Sequence, residues 1–382
     1  TGTENTATGK GALQANTTAS YNTSVGSGAL GDTTTGAANT AVGRAALNKN
    51  TTGANNTALG YQAMDANTTG GSNVAVGSNA LGGNTTGSNN IGIGLNALAS
   101  QTTGDNNTVV GFTAGHDMSS GTDNVFMGVQ AGYANTTGAY NTAIGRDALK
   151  ANTTAGSNTA VGHNALAVNT TAGSNAAFGS FTLKACTTGE ANASFGAYAS
   201  FSNTTGTCNT ILGFQTGYYI TNGSGNIVLG SQTAAGQYSP VFNVVGEDNR
   251  IVMGTTTATN AYIKVAWTVT SDQRDKADIT DFTHGLDYIN ELRPVNYVWD
   301  ERSNYADGIS DGSKKKDLPQ LGFLAQEIEA VETSLGITNN CVVDKEDVDN
   351  LKITETKLIP ILVNAIQELS TQNAALAARL TT

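Results

Sequence analysis

The sequence predicts a mainly β chain: a long 17-residue β-repeat of solenoid or β-roll type, followed by a small α+β domain that ends in a coiled-coil helix. Three observations carry this. An Asn recurs every 17 residues, fourteen times, from Asn5 to Asn226, with no insertion or deletion. A Gly follows each Asn four residues later, from Gly9 to Gly230. Past Gln237 the period is lost, and charged residues and helical spacing take over. A fixed period of this length marks one structural unit stacked along a line.

One unit reads Asn56-Thr-Ala-Leu-Gly-Tyr-Gln-Ala-Met-Asp-Ala-Asn-Thr-Thr-Gly-Gly-Ser. Counting Asn as position 1, the fourth position is apolar in every unit from Val25 to Leu229. The eighth is mostly Ala and the ninth often Leu, as in Ala46-Leu47. Runs such as Thr-Ala-Val alternate in character and suit a strand with one buried face. Gly at position 5, and Gly or Ala at position 15, mark turns or close backbone approach. Asn-Thr-Thr-Gly at positions 12 to 15 has turn chemistry. The expected unit is two short strands and two turns, with Ala, Val and Leu forming a thin core. Fourteen rungs at about 4.8 Å would span on the order of 65 Å. So thin a core calls for neighbouring chains, and the repeat is expected to be a parallel homotrimer.

Composition narrows the function classes. Gly makes up 46 of 382 residues and Pro only 4, which fits a β-repeat better than collagen or disorder. Residues 1–250 hold 7 Lys/Arg and 10 Asp/Glu, and residues 251–382 hold 12 and 20. With no basic run, nothing points to nucleic acid. No stretch has the length and apolarity of a membrane span. Cys186, Cys208 and Cys341 show no metal-ligand spacing and no disulfide framework. No metal or cofactor is expected. The chain starts at Thr1, and an attachment part is expected before it.

The expected division is a repeat shaft over 1–237, a β connector over 238–270 and a separate domain over 271–382. In the connector, 241–245, 250–253 and 261–270 read as strands. Further on, 284–292 and 324–331 read as short helices and 295–299 as a strand. Residues 352–380 read as a longer helix with a start or break at Pro360. Its residues Ile359, Leu362, Ile366, Leu369, Asn373, Leu376 and Leu380 are spaced 3-4-3-4-3-4, the seam of a coiled coil. Asn373 in that seam would fix register and chain number.

Five motifs in the last third carry a resemblance. They are Ser271-Asp-x-Arg-x-Lys276, Gly285-Leu-x-x-Ile289, Leu292-Arg-Pro-Val295-x-Tyr-x-Trp299, Gly322-Phe-Leu-Ala-Gln-Glu327 and Leu358-x-Pro-x-Leu362-x-x-Ala365-Ile-Gln-Glu-Leu369. Together they resemble the intramolecular chaperone domain of phage tail fibres and tailspikes, the peptidase S74 family. The resemblance implies a trimeric folding helper that cuts itself off once. It implies Ser271 as nucleophile, Lys276 as base and Thr270–Ser271 as the bond cut. A Ser hydroxyl needs a base to act as a nucleophile, and Ser–Lys pairs are a known solution. Lys276 would have to be neutral to take the proton. The Asn-Thr-Ala-Val-Gly units also resemble the head repeats of trimeric autotransporter adhesins, which have a shorter period.

The expected function is a viral tail fibre or tailspike for host attachment, located in the virion and assembled in the host cytoplasm. The alternatives are a trimeric cell-surface adhesin and, from the Thr-Thr rows, an ice-binding β-solenoid. The expected partners are further copies of the chain, virion or tail proteins, and a host surface receptor such as a glycan. Positions 6 and 7 vary most between units, so Tyr61, Phe112, Phe181, Tyr198 and Phe214 are candidate receptor contacts.

Overall fold

The computed structural model describes residues 2–258, 264, 271–302, 305, 308–338, 341–345 and 351–380. The chain forms two compact units, Thr1–Ile263 and Lys264–Thr382.

The first unit is a β-solenoid. Each 17-residue rung contributes one three-residue strand, from β1 (Thr6–Thr8) to β14 (Ile227–Leu229). All are parallel and stack in sequence order in a single sheet. The pairing follows the repeat: Thr57 sits beside Val74, Ala58 beside Ala75 and Leu59 beside Val76. A fifteenth strand, β15 (Ile251–Met253), joins the same sheet in the same register. In the connector, 241–245 is not strand, and 261–270 lies outside the described residues except Lys264.

The rung has one strand where the sequence suggests two. Positions 7, 9 and 17 hold left-handed backbone conformations, as at Gln62 (φ 54°), Met64 (φ 52°) and Ser72 (φ 58°). These residues bend the chain out of strand geometry. They keep the rung-to-rung hydrogen bonding, since Leu81 N–H still donates to Ala97 C=O at 2.9 Å and Thr85 N–H to Thr102 C=O at 2.9 Å. Position 9 carries Leu, Met, Gly or Ser in the first thirteen rungs and no β-branched residue, a type that the left-handed region disfavours. Each such non-Gly residue costs roughly 1–2 kcal/mol. The cost is offset by the rung bonds and by burial of the position-9 side chain.

The core is narrower than the apolar pattern implies. Position 3 points inward and is buried, as at Ala41, Ala58 and Ala75. So are positions 8 and 9, as at Ala46 and Leu47. The apolar residue at position 4 does not enter the core, and Val25, Leu59 and Ile93 are exposed on the outer face of the sheet. Volume is exchanged within each rung. Where position 3 is Ala, position 9 is usually Leu. Where position 3 is Phe126 or Ile211, position 9 is Gly132 or Gly217, and a Cβ on Gly132 would lie 2.4 Å from the Phe126 ring. The total stays roughly constant, which is the condition a packed core imposes.

Two buried amide ladders run through the interior, and they explain the two Asn positions. The position-1 Asn of one rung accepts from the next: Asn124 N–H donates to Asn107 Oδ1 at 3.0 Å, and Asn107 Nδ2 donates to Gly121 C=O at 2.9 Å. The position-12 Asn does the same, with Asn84 Nδ2 donating to Asn67 Oδ1 at 2.9 Å and to Gly87 C=O at 2.9 Å. Asn73 Nδ2 also reaches Gly87 C=O, at 2.8 Å. Both ladders therefore converge on the position-15 carbonyl, and Asn-Thr-Thr-Gly is more than a turn. The first Thr of each pair also bonds between rungs, as Thr85 Oγ1 to Thr102 C=O at 2.9 Å.

The position-5 Gly has a separate cause. At Gly111 φ is +148°, and an added Cβ would stand 2.2 Å from the Gly128 carbonyl oxygen of the next rung. Position 15 has neither a positive φ nor an absolute demand, and Ala155 and Ala172 occupy it.

The second unit is α+β. Helix α1 (Leu286–Glu291) leads to β16 (Val295–Tyr297), which pairs antiparallel with β17 (Gln320–Gly322). Helix α2 (Ala325–Ser334) follows, then β18 (Val343–Asp344) antiparallel to β19 (Lys352–Ile353), then α3 (Leu358–Leu380). Residues 352–353 are strand, so the last helix starts at Leu358, with Pro360 in its first turn where no helical N–H is needed. Tyr288, Ile328, Val331, Val342, Val343, Leu358 and Ile361 form the core.

Candidate functional site

Ser271 and Lys276 flank a single tight turn, Gln273–Asp275. Asp272 shapes the turn: its carboxylate accepts from Arg274 N–H at 2.9 Å and from the Arg274 guanidinium at 2.6 Å. That pairing holds Asp272 below its usual carboxylate range. It also engages Arg274, so Arg274 serves the turn rather than Lys276. With the chain reversed, Lys276 Nζ lies 2.6 Å from Ser271 Oγ. The two groups five residues apart are thus already within proton-transfer reach in one chain. Thr270, the other side of the expected cut, lies outside the described residues.

In this arrangement the ammonium donates to the hydroxyl. Removing a proton from Ser271 needs the reverse, with Lys276 neutral. Burial is the usual means, and both side chains are exposed.

The other motifs hold the unit together. A Cβ on Gly285 would meet Glu368 Oε1 at 2.3 Å and the Ala365 backbone N at 2.8 Å, so only Gly lets α1 approach α3 here. Glu368 Oε2 accepts from Leu286 N–H at 3.0 Å and caps α1 from α3. Arg293, just past α1, forms a two-point ion pair with Glu327 at the start of α2. Glu332, fully buried, accepts from Tyr288 Oη at 3.2 Å and from Val342 N–H at 2.7 Å. Burial first, and then the neighbouring Glu332 charge, push the Tyr288 hydroxyl far up from its ordinary value. The sequence reading missed Glu332. A Glu on the apolar face of a helical stretch, at the spacing of Ile328 and Val331, was the available signal.

Helix α3 has two faces. Leu358, Ile361 and Ala365 are buried against the unit. The seam residues Ile359, Leu362, Ile366, Leu369, Asn373, Leu376 and Leu380 are all exposed on the other side.

The receptor candidates separate into groups. Tyr61 is exposed beneath the Arg44 guanidinium, 5.6 Å from its ring centre, and Phe112 is exposed three rungs further on. Phe181 and Tyr198 stack at 5.0 Å on adjacent rungs, and Phe214 meets Tyr198 edge-on at 6.2 Å. Phe201 and Tyr218, which the sequence reading left out, extend this group as a second stack at 5.0 Å. The stacked ring faces are spent on one another.

Among the described residues no His, Cys, Asp or Glu group is arranged to hold a metal ion, and no helix is long and apolar enough to cross a membrane.

Residues 271–337 match the peptidase S74 family, described as the chaperone of endosialidase. The match begins at Ser271 and covers four of the five motifs. No curated protein and no solved structure matches the chain. A β-solenoid body with this C-terminal segment fits a phage tail fibre or tailspike with a C-terminal chaperone.

Proposed function

We propose that the chain is a structural tail-fibre protein for host attachment. In this reading its C-terminal unit assembles three parallel copies, guides folding of the solenoid, and then cuts itself away once. The observation that carries the proposal is the Ser271–Lys276 pair at 2.6 Å, placed at the first residue of the chaperone match. Parallel strands paired rung by rung are slow to form and prone to wrong register, so a template is physically useful. The exposed α3 seam supports three-chain assembly, and bringing chains together would supply the cover that the exposed dyad lacks.

The cut would run in two steps. Lys276 takes the Ser271 hydroxyl proton while Oγ attacks the Thr270 carbonyl carbon. The C–N bond breaks, the Ser271 amine takes up the proton, and an ester joins Thr270 to Ser271 Oγ. Water then hydrolyses the ester, leaving a Thr270 carboxylate and a free chaperone that begins at Ser271. The test is mass spectrometry of the purified protein, denatured before analysis. A fragment ending at Thr270 is expected from the parent chain, and full-length chains from Ser271→Ala and Lys276→Ala. An uncut parent chain, or a cut Ser271→Ala chain, would overturn self-cleavage. Light scattering of the uncut Ser271→Ala chain tests assembly separately: about 117 kDa is expected for three copies of the 38.9 kDa chain.

A further inference from the structure

The position-4 side chains form an apolar stripe that nothing in the single chain covers. Val25, Leu59, Ile93, Met127, Ile144 and Leu212 keep 37 to 54 % of their surface exposed. None of the thirteen position-4 residues from Val25 to Leu229 is buried. Because each strand pairs with the next in strict register, as Val125 with Thr142 and Met127 with Ile144, the stripe runs straight along the outer sheet face.

We propose that this stripe is where a second copy of the chain packs, solenoid alongside solenoid, parallel and rung by rung. The proposal rests on the multi-chain reading above and names the surface it uses. Three features select another copy over a receptor. First, the stripe extends over thirteen consecutive rungs, about 60 Å at 4.8 Å per rung. A local receptor site would not need all of it, whereas a partner of the same length and the same repeat would. Second, the strand face, positions 2 to 4, is about 10 Å wide at about 3.3 Å per residue, giving roughly 600 Å² of apolar-rich surface. That is the upper limit of what a lone chain commonly exposes, and it approaches the ~800 Å² per partner of a standard interface. Third, position 4 carries no charge in any of the thirteen rungs, and position 2 is Thr, Val, Ile or Ala throughout. The strand face therefore brings no charge of its own to a contact between copies, and the charges nearest position 4, Arg44 and Arg146, stand two positions further on at position 6.

The interior explains why these residues are free to face outward. A Leu at position 9 fills the rung and leaves room only for a small residue at position 3, Ala in most rungs and Ser24 or Gly92 in others, so the larger apolar group of the strand lies outside.

Cysteine accessibility in the full chain tests the proposal. Cys208→Ser and Cys341→Ser remove the accessible thiols. Cys186 stays, since it is buried and burial pushes its thiol up to about 11. Ile144→Cys then probes the stripe, and Thr137→Cys probes the exposed position-14 row of the preceding rung. Maleimide labelling of the native protein is expected to be at least roughly tenfold slower at Ile144→Cys, as for the desolvated centre of an interface. Mild oxidation is expected to join two chains through Ile144→Cys and not through Thr137→Cys. Ile93→Cys repeats the measurement should Ile144→Cys fail to fold. Equal labelling and no cross-link in a protein of trimer mass would leave the stripe open to a receptor and overturn this interface, while three-chain assembly stood. A monomer mass would overturn both.

Discussion

The solenoid and the C-terminal unit solve the same problem in opposite ways. In the solenoid the buried Asn at position 1 bonds to its counterpart 17 residues away, as when Asn124 N–H donates to Asn107 Oδ1. The apolar core is mostly Ala, with one larger side chain in most rungs. In the C-terminal unit the partners occur once. Glu332 on α2 holds Tyr288 from α1 and the N–H of Val342 before β18, and Glu368 on α3 caps α1. The difference shows that a repeat can tolerate a thin core because its hydrogen bonds recur from rung to rung and each rung is the template for the next. A small single-copy domain has no such template and depends on a few long-range polar anchors.

The largest expected effect comes from blocking the rung-to-rung approach. Gly111→Ala places a Cβ against the Gly128 carbonyl oxygen at a backbone angle that Ala rarely adopts, and should destabilise the solenoid by on the order of 3–5 kcal/mol. Gly336→Ala in the other unit has a positive φ but nothing within 4 Å, and should cost only about 1 kcal/mol. Urea unfolding followed by circular dichroism compares them. Equal losses would mean that the carbonyl stacking is irrelevant.

Next is the single-copy network. Glu332→Ala leaves the Tyr288 hydroxyl and the Val342 N–H buried without their acceptor, and should cost about 3 kcal/mol. The loss should be confined to the C-terminal unit, seen as faster hydrogen exchange there with the solenoid amides unchanged. An unchanged C-terminal unit would remove Glu332 from the account of its stability.

The smallest effect is a gain. The position-12 ladder breaks at Cys186, and Asn169 Oδ1 below it is buried with no hydrogen-bond partner. Cys186→Asn restores the donor that Asn169 itself supplies to Asn152 Oδ1 at 3.0 Å. It should stabilise the solenoid by about 1 kcal/mol, read as a higher unfolding midpoint. A lower midpoint would mean that the break is favourable where it stands.

The dyad separates in the same way. The motif Ser271-Asp-x-Arg-x-Lys276 is legible because its residues are close in sequence, and one turn shaped by Asp272 brings them together. The role of Glu332 was not legible, because its partners lie 44 and 10 residues away. Of the aromatic candidates, Tyr61 lies beneath Arg44 and Phe112 is exposed, while the grouping of Phe181 with Tyr198 depends on adjacent rungs placing the same position in line.

The sequence by itself determined the period, the parallel stacking order, the absolute Gly at position 5 and the change of character after the repeat. These follow from rules that act along the chain: a 17-residue register repeated without error, and backbone angles that only Gly tolerates. The tertiary structure alone decided which apolar residues are inside. Alternation along a strand places Ala41 and Val42 on opposite faces but does not say which face is core. That choice depends on Leu47, which crosses the rung and fills the space, leaving room for Ala41 and turning Val42 outward.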